Sequence, residues 1–181
     1  MKKVCLFALA ALALAVMPMV TVRAADDATA AMPAAGQMAP TFTLPSQDGT
    51  PIALSSYHGK WVVLYFYPKD MSQGCTIEAH NFQNAMGDFD KKNAVILGVS
   101  VDSTDSHQQF CAKDGLTFHL LADTEHKVTT MYGSASERNG AVMAARNTFL
   151  IDPQGKIQQV WTKVNPQTAA SDVLGVIPDK K

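Results

Sequence analysis

Two cysteines carry the reactive chemistry that this sequence offers, and Cys75 is the more informative of them. It follows a strand-like apolar run, Trp61 to Tyr67, that Pro68 interrupts, and it stands where a helix is predicted to begin. Unpaired backbone N–H groups and the positive end of the helix dipole favour a thiolate over a thiol at such a position. The sequence therefore predicts that Cys75 is a nucleophilic cysteine.

Cys111 is the second cysteine of the predicted folded part, and Cys5 lies in the N-terminal segment. An even pair of cysteines suggests a disulfide if the chain is exported, and such a bond can be permanent or can open and close during a reaction. Neither Cys75 nor Cys111 belongs to a Cys-x-x-Cys pair, which argues against a zinc site. No metal or other cofactor is predicted.

Strands and amphipathic helices alternate from Pro40 onward, which predicts the elements that position these cysteines. This order predicts an α/β protein of thioredoxin-like fold, with a mixed central β-sheet flanked by helices on both faces. Cys75 would then lie at the carboxyl end of a central strand, where open α/β sheets bind their ligands. The predicted strands lie within residues 41–44, 52–54, 61–67, 95–101, 118–121, 148–151 and 156–161, and the predicted helices within 75–90, 103–113, 125–132 and 166–176.

The N-terminus has the pattern of a secretory signal peptide. Lys2 and Lys3 precede an apolar run from Val4 to Val20, and Ala24 offers a small residue for cleavage. The sequence therefore predicts a signal peptide over residues 1–24, a flexible Ala- and Met-rich tether over 25–39, and one domain over 40–181. Location in the periplasm, or export by another route, follows from the signal peptide.

The charge of the processed chain excludes some partners. Residues 1–24 hold three of the 15 basic side chains and none of the 16 acidic ones, which leaves 12 basic against 16 acidic residues and a net charge of −4. We therefore expect no nucleic-acid partner and, once the signal is cleaved, no binding to a membrane.

The segment from Tyr65 to Thr76 closely resembles the active-site segment of peroxiredoxins, in the form found in the bacterioferritin-comigratory (PrxQ) subfamily. The family motif places Pro, then Thr or Ser, then Cys at the spacing of Pro68, Ser72 and Cys75. The resemblance continues through Arg146 and residues 147–152, and it covers residues 40 to about 176.

This resemblance implies a thiol-dependent peroxidase that reduces hydrogen peroxide and organic hydroperoxides. Cys75 would attack the peroxide and become a sulfenic acid. Ser72 would bridge the thiolate and the peroxide, Pro68 would shield the thiolate from water, and Arg146 would stabilise the charge that develops on the leaving oxygen.

The resemblance also implies a role for Cys111. Many subfamily members carry a second cysteine five residues after the first, but this chain has His80 there, whereas another branch places that cysteine where Cys111 lies. Cys111 would then resolve the Cys75 sulfenic acid as an intramolecular disulfide, which is compatible with a monomer. A thioredoxin-like or periplasmic disulfide-reducing protein would be the electron donor.

Three alternatives stay open at the level of sequence. Cys111 can be a small packed residue that takes no part in the reaction. The chain can be a thiol–disulfide oxidoreductase, although Ser72 and Glu78 stand where a Cys-x-x-Cys motif would place its second cysteine. It can also be a peroxide sensor or redox-controlled holdase that is oxidised without turnover.

Overall fold

The computed structural model describes residues 31–138 and 140–179. The predicted signal peptide, residues 1–24, and the first part of the predicted tether lie outside the described residues. Within the two described ranges, no helix is long and apolar enough to cross a membrane.

Strands and helices alternate along the described chain, as the sequence pattern predicts. The strands are β1 (Thr43–Pro45), β2 (Pro51–Ala53), β3 (Trp61–Phe66), β4 (Ala94–Ser100), β5 (His119–Ala122), β6 (Ala135–Arg138), β7 (Ala141–Ala144), β8 (Asn147–Ile151) and β9 (Ile157–Thr162). The α-helices are α1 (Gln73–Asn84), α2 (Met86–Lys91), α3 (Thr104–Asp114), α4 (Lys127–Met131) and α5 (Ala169–Leu174), and a 3-10 helix spans Leu54–Tyr57.

A five-stranded sheet in the order β5-β4-β3-β8-β9 forms the centre of the domain. β3 and β5 pair with β4 in parallel, whereas β8 pairs antiparallel with both β3 and β9. The crossover from β3 to β4 passes through α1 and α2, so α1 begins at the carboxyl end of the central strand. The predicted mixed sheet and thioredoxin-like fold are confirmed.

Apolar side chains cover both faces of this sheet, so both faces are buried. One apolar cluster includes Phe82 of α1 and Phe110 of α3, and the other includes Tyr132, directly after α4, with Phe42 beside β1. Residues 62–66 of β3 are all buried between the two clusters. A strand that is apolar at every position matches a sheet covered on both faces.

The end of the predicted tether packs on the domain. The backbone N–H of Gly36 donates to the carbonyl of Ile157 at 2.8 Å, and the N–H of Ile157 donates to the carbonyl of Gln37 at 2.8 Å. The N–H of Ala39 donates to the carbonyl of Gly155 at 2.9 Å. Because backbone groups make these contacts, side-chain composition alone did not indicate them.

The helix predicted over residues 75–90 consists of two helices. α1 ends at Asn84 and α2 begins at Met86, with Ala85 between them. Asn84 and Gly87 are both weak helix formers, which favours a break at this point. Phe82 and Phe89 nevertheless pack together, with ring centroids 6.1 Å apart, so the predicted apolar face is kept.

Two further differences concern the C-terminal part. Strands β6 and β7 pair antiparallel in a region for which no element was predicted. The last helix begins at Ala169 rather than at Pro166, because Asn165 holds residues 165–168 in a turn through hydrogen bonds from the N–H groups of Gln167 and Thr168.

Candidate active site

Cys75 lies in the first turn of α1, where the sequence places it. Met71 adopts a left-handed backbone conformation with φ 55°, which turns the chain after β3, and Ser72 is the N-cap residue of α1. The Cys75 side chain is buried, with only 1% of its surface exposed. The N-terminal N–H groups of α1 therefore act on a sulfur that is nearly removed from bulk water.

Arg146 contacts the sulfur of Cys75. It directly precedes β8, and because Phe66 pairs with Asn147 across the sheet, Arg146 is brought to the end of β3 where α1 starts. Its Nη2 donates to the Sγ atom of Cys75 at 3.4 Å. Gly74 permits this approach, since a Cβ atom there would lie 3.2 Å from Nη2.

Glu78 holds the other side of the guanidinium. Its Oε2 accepts a hydrogen bond from Nη1 of Arg146, and the carboxyl group is fully buried. Burial raises the pKa of Glu78 to about 7, against the opposing effect of the Arg146 charge. Burial alone would lower the pKa of Arg146, but the neighbouring Glu78 and Cys75 outweigh it and hold that pKa above its usual value.

Sequence reasoning assigned no site role to Glu78, because in a helix predicted to begin at Cys75 a glutamate at this position is already favoured by the helix dipole. Its spacing of three residues from Cys75 is a signal that could have indicated it, since residues i and i+3 share a helix face. The structure makes Glu78 the residue that orients Arg146.

Pro68 and Ser72 are the two other residues predicted to bind the peroxide. Pro68 and Arg146 line the same cavity of about 380 Å³, together with Arg138 and Lys163. The hydroxyl of Ser72 donates to the carbonyl of Lys69 at 3.0 Å, which leaves its oxygen lone pairs free to accept a further hydrogen bond. The predicted bridge from Ser72 to the thiolate stays a prediction.

Cys111 lies on α3, which packs against the same face of the sheet as α1. It is half-buried, and both Cys75 and Cys111 are free thiols rather than partners in a disulfide. Burial, followed by the negative charge of Asp70, raises the pKa of Cys111 to about 11. In this folded state Cys111 is therefore protonated at neutral pH and weakly nucleophilic. No group of three or more potential metal ligands occurs among the residues that the structure describes.

A buried thiol at a helix start, with a guanidinium donating to it at the carboxyl end of a central strand, defines a thiol-based redox enzyme of thioredoxin-like fold. Comparison with known proteins gives the same answer. The AhpC/TSA family matches residues 35–160. The chain is 42% identical over 144 residues to a putative peroxiredoxin Bcp of Coxiella burnetii, covering 77% of this chain and 95% of that protein.

Solved structures of peroxiredoxins have the same fold as this chain. The peroxidoxin BcpB of Mycobacterium tuberculosis superposes with a TM-score of 0.76 at 31% identity, covering 81% of this chain and 97% of that one. A structure of the bacterioferritin comigratory protein of Xanthomonas campestris, described in connection with alkyl peroxide reduction, has a TM-score of 0.71 at 38% identity and covers 75% of this chain and 89% of that one.

The chain belongs to the AhpC/TSA family of peroxiredoxins, in the Bcp/PrxQ subfamily. Peroxiredoxins are thiol peroxidases, so this protein is an oxidoreductase that reduces hydroperoxides with electrons from a thiol donor. The resemblance stated from the sequence is confirmed.

The raised pKa of Glu78 predicts how stability depends on pH. The folded-state pKa of about 7 lies above the ordinary value of 4.5, so between these values the folded state binds a proton that the unfolded state has released. The free energy of unfolding therefore decreases as pH rises through this window, by on the order of 3 kcal/mol in total. A Glu78→Gln variant lacks this contribution. The stability of the wild type relative to Glu78→Gln is expected to fall between pH 5 and pH 8, as measured by urea unfolding.

The control for this prediction is Glu137→Gln, because Glu137 is exposed on β6. The difference between the wild type and that variant should not change over the same pH range. A difference between the wild type and Glu78→Gln that stays constant or grows with pH would contradict the assignment.

Proposed function

We propose that this chain reduces hydroperoxides in two steps, with Cys75 as the attacking and Cys111 as the resolving cysteine. The observation that carries the proposal is the hydrogen bond from Nη2 of Arg146 to the buried Sγ of Cys75 at 3.4 Å. This contact holds a positive charge and an N–H donor beside the atom that reacts.

The first step is attack of the Cys75 thiolate on one peroxide oxygen. The S–O bond forms as the O–O bond breaks, and the leaving oxygen takes up a proton to give an alcohol or water, so that Cys75 becomes a sulfenic acid. Pro68 and Ser72 bind the peroxide with Arg146. The N–H donors of Arg146 stabilise the negative charge that develops on the oxygens as the bond breaks.

The second step is attack of Cys111 on the sulfur of the Cys75 sulfenic acid. The S–S bond forms, the S–O bond breaks, and the hydroxyl leaves as water with the proton of the Cys111 thiol. Two structures of Xanthomonas campestris peroxiredoxin Q, each with one cysteine changed to serine, support this pairing. Their substituted positions lie 36 residues apart, as do Cys75 and Cys111.

A dithiol donor then reduces the disulfide. In an exported protein this donor is a thioredoxin-like or periplasmic disulfide-reducing protein, and a disulfide within one chain is compatible with a monomeric enzyme. Export is proposed from the signal-peptide pattern of residues 1–24. Family membership does not fix the compartment, since the related peroxiredoxin Q of Sedum lineare is named as chloroplastic.

The test is the intact mass of the protein after one equivalent of hydrogen peroxide, in a Cys5→Ser background so that Cys75 and Cys111 are the only thiols. The protein with both cysteines is expected to lose two hydrogen atoms, as an intramolecular disulfide requires. Cys111→Ser is expected to gain one oxygen atom instead, because the sulfenic acid has no partner thiol.

Two results would contradict this proposal. A doubled mass under non-reducing conditions would indicate a disulfide between chains and would remove the argument for a monomer. A gain of oxygen in the protein that retains Cys111 would show that Cys111 does not resolve the sulfenic acid.

A further inference from the structure

A buried hydrogen-bond network joins the loop before α1 to helix α3. Oδ2 of Asp70 lies 2.8 Å from Nδ1 of His107 and accepts a hydrogen bond from the Ser106 hydroxyl at 2.7 Å, while Oδ1 accepts from the Tyr67 hydroxyl at 2.7 Å. The backbone N–H of Asp70 donates to Oδ2 of Asp102 at 2.9 Å. Asp70 and His107 are both almost entirely buried. A buried carboxylate with this many donors is a strongly preferred arrangement, and breaking it is costly.

This network connects the two segments that carry the cysteines. Asp70 lies five residues before Cys75, and His107 lies four residues before Cys111 on α3. The pair therefore fastens the segment that carries the attacking cysteine to the helix that carries the resolving cysteine.

We propose that Asp70 and His107 form a latch that holds the Cys75 loop against α3, and that opening of this latch sets the rate at which Cys111 reaches the Cys75 sulfenic acid. The inference rests on the proposed roles of Cys75 and Cys111. Asp70 and His107 are positioning residues, since they act through the segments they join, and their hydrogen bonds within the described chain go to neither cysteine sulfur.

The two reaction steps need different arrangements of the same segments. Attack on peroxide needs Cys75 in its helical turn beside Arg146, as the structure has it. Disulfide formation instead needs the two Cβ atoms within about 4.5 Å of each other. Since Cys75 and Cys111 lie on separate helices and the sulfur of Cys75 contacts Arg146, we infer that one segment moves to bring them together. Movement of either the loop or α3 relative to the other breaks the contact between Asp70 and His107.

One polar atom of the closed latch lacks a hydrogen-bond partner. Nε2 of His107 is buried and finds no hydrogen-bond partner among the described residues, so water would satisfy it when the latch opens. Opening would also expose Cys111 and move it away from the Asp70 carboxylate, the two influences that raise its pKa. The resolving thiol would therefore gain nucleophilicity at the moment when it becomes mobile.

The test compares two substitutions of His107. Leucine fills similar space without a hydrogen bond, whereas the side-chain amide of asparagine can still donate to Asp70 from near the position of Nδ1. Disulfide formation after one equivalent of hydrogen peroxide is followed by rapid quenching in acid and intact mass. His107→Leu is expected to form the disulfide roughly tenfold faster than the wild type, because it lacks a hydrogen bond to a charged group. His107→Asn is expected to restore a rate near that of the wild type.

A second measurement separates the latch from general loss of stability. The sulfenic acid can react with a second peroxide to become sulfinic acid only while it waits for Cys111. In His107→Leu the sulfinic fraction at a fixed excess of peroxide is therefore expected to fall about as much as the disulfide rate rises. A merely destabilised enzyme would show no such change, and Ile157→Ala, in the opposite apolar cluster, is the control for that case.

The pair His80–Asp114 supplies a matched control. It joins α1 itself to the end of α3, with Nε2 of His80 3.1 Å from Oδ1 of the mostly buried Asp114, but nearly half of the His80 side chain is exposed. Because solvent reaches the histidine, this pair contributes less than a fully buried one, so His80→Leu is expected to change the disulfide rate by less than about twofold. An equal acceleration in His80→Leu and His107→Leu would argue against a specific latch.

Three further outcomes would also test the latch or the proposed function. If His107→Leu does not fold, Ser106→Ala removes one hydrogen bond to Asp70 from a half-buried position and should accelerate disulfide formation about two- to threefold. Unchanged rates in the folded His107 and Ser106 variants would overturn the latch while leaving the resolving role of Cys111 intact. Absence of any disulfide in the wild type would instead overturn the proposed function.

Discussion

Peroxide reduction by a Cys75→Ser variant is expected to fall at least about 1,000-fold below that of the wild type, to the level of the reaction without enzyme. The hydroxyl of serine is far less nucleophilic than a thiolate, and Arg146 cannot ionise it at neutral pH. The measurement is the second-order rate constant for hydrogen peroxide, taken from consumption of peroxide in the presence of dithiothreitol.

Cys111→Ser is the matched control for this prediction. It retains Cys75 and should reduce the first equivalent of peroxide as fast as the wild type, because in the proposed mechanism Cys111 acts only after the O–O bond has broken. If Cys75→Ser still consumed peroxide at the wild-type rate while Cys111→Ser did not, the roles of the two cysteines would be reversed.

Replacement of Arg146 with methionine is expected to lower the second-order rate constant by about 100- to 1,000-fold, the usual effect of removing a donor that stabilises developing charge. Arg138→Met is the control, because Arg138 lines the same cavity from an exposed position on β6. Its rate constant is expected to stay within about threefold of the wild type.

Arg146→Met also leaves the carboxyl of Glu78 buried without its partner, so a loss of stability must be separated from a loss of catalysis. The double variant Arg146→Met/Glu78→Gln removes both charges and should recover much of the stability. Its activity should remain as low as that of Arg146→Met. Recovery of activity together with stability would show that Arg146 supports the fold rather than the reaction.

Much of the site could be predicted because its residues lie close together in the sequence. Pro68 ends a strand whose residues are all apolar, and the spacing from Pro68 to Cys75 fixes a short loop that leads into a helix. Arg146 is distant in sequence, and the resemblance to a family was needed to connect it with Cys75. The pairing of Phe66 with Asn147 explains the connection in physical terms, since it places Arg146 at the end of the central strand.

The parts that could not be predicted depend on burial and on contacts between distant elements. The sequence pattern around Glu78 is the same whether its carboxyl group is buried or exposed. The same holds for the side chain of His107. The hairpin of β6 and β7 had a signal that went unused, because Asn139-Gly140 between two short segments is typical of a two-residue hairpin turn. The alanine and methionine composition of that region masked its strands.

The missing side chain at Gly74 links two distant parts of the sequence. A Cβ atom there would meet Nη2 of Arg146 at 3.2 Å and Cγ of Pro166 at 3.8 Å, so the guanidinium occupies the space that an alanine methyl group would need. The helix forgoes about 1 kcal/mol of intrinsic propensity relative to alanine at this position. An alanine at position 74 would therefore gain helix propensity but push the guanidinium of Arg146 a few tenths of an ångström from its place beside Cys75, so a substitution that stabilises this helix would disturb a contact 72 residues away in the sequence.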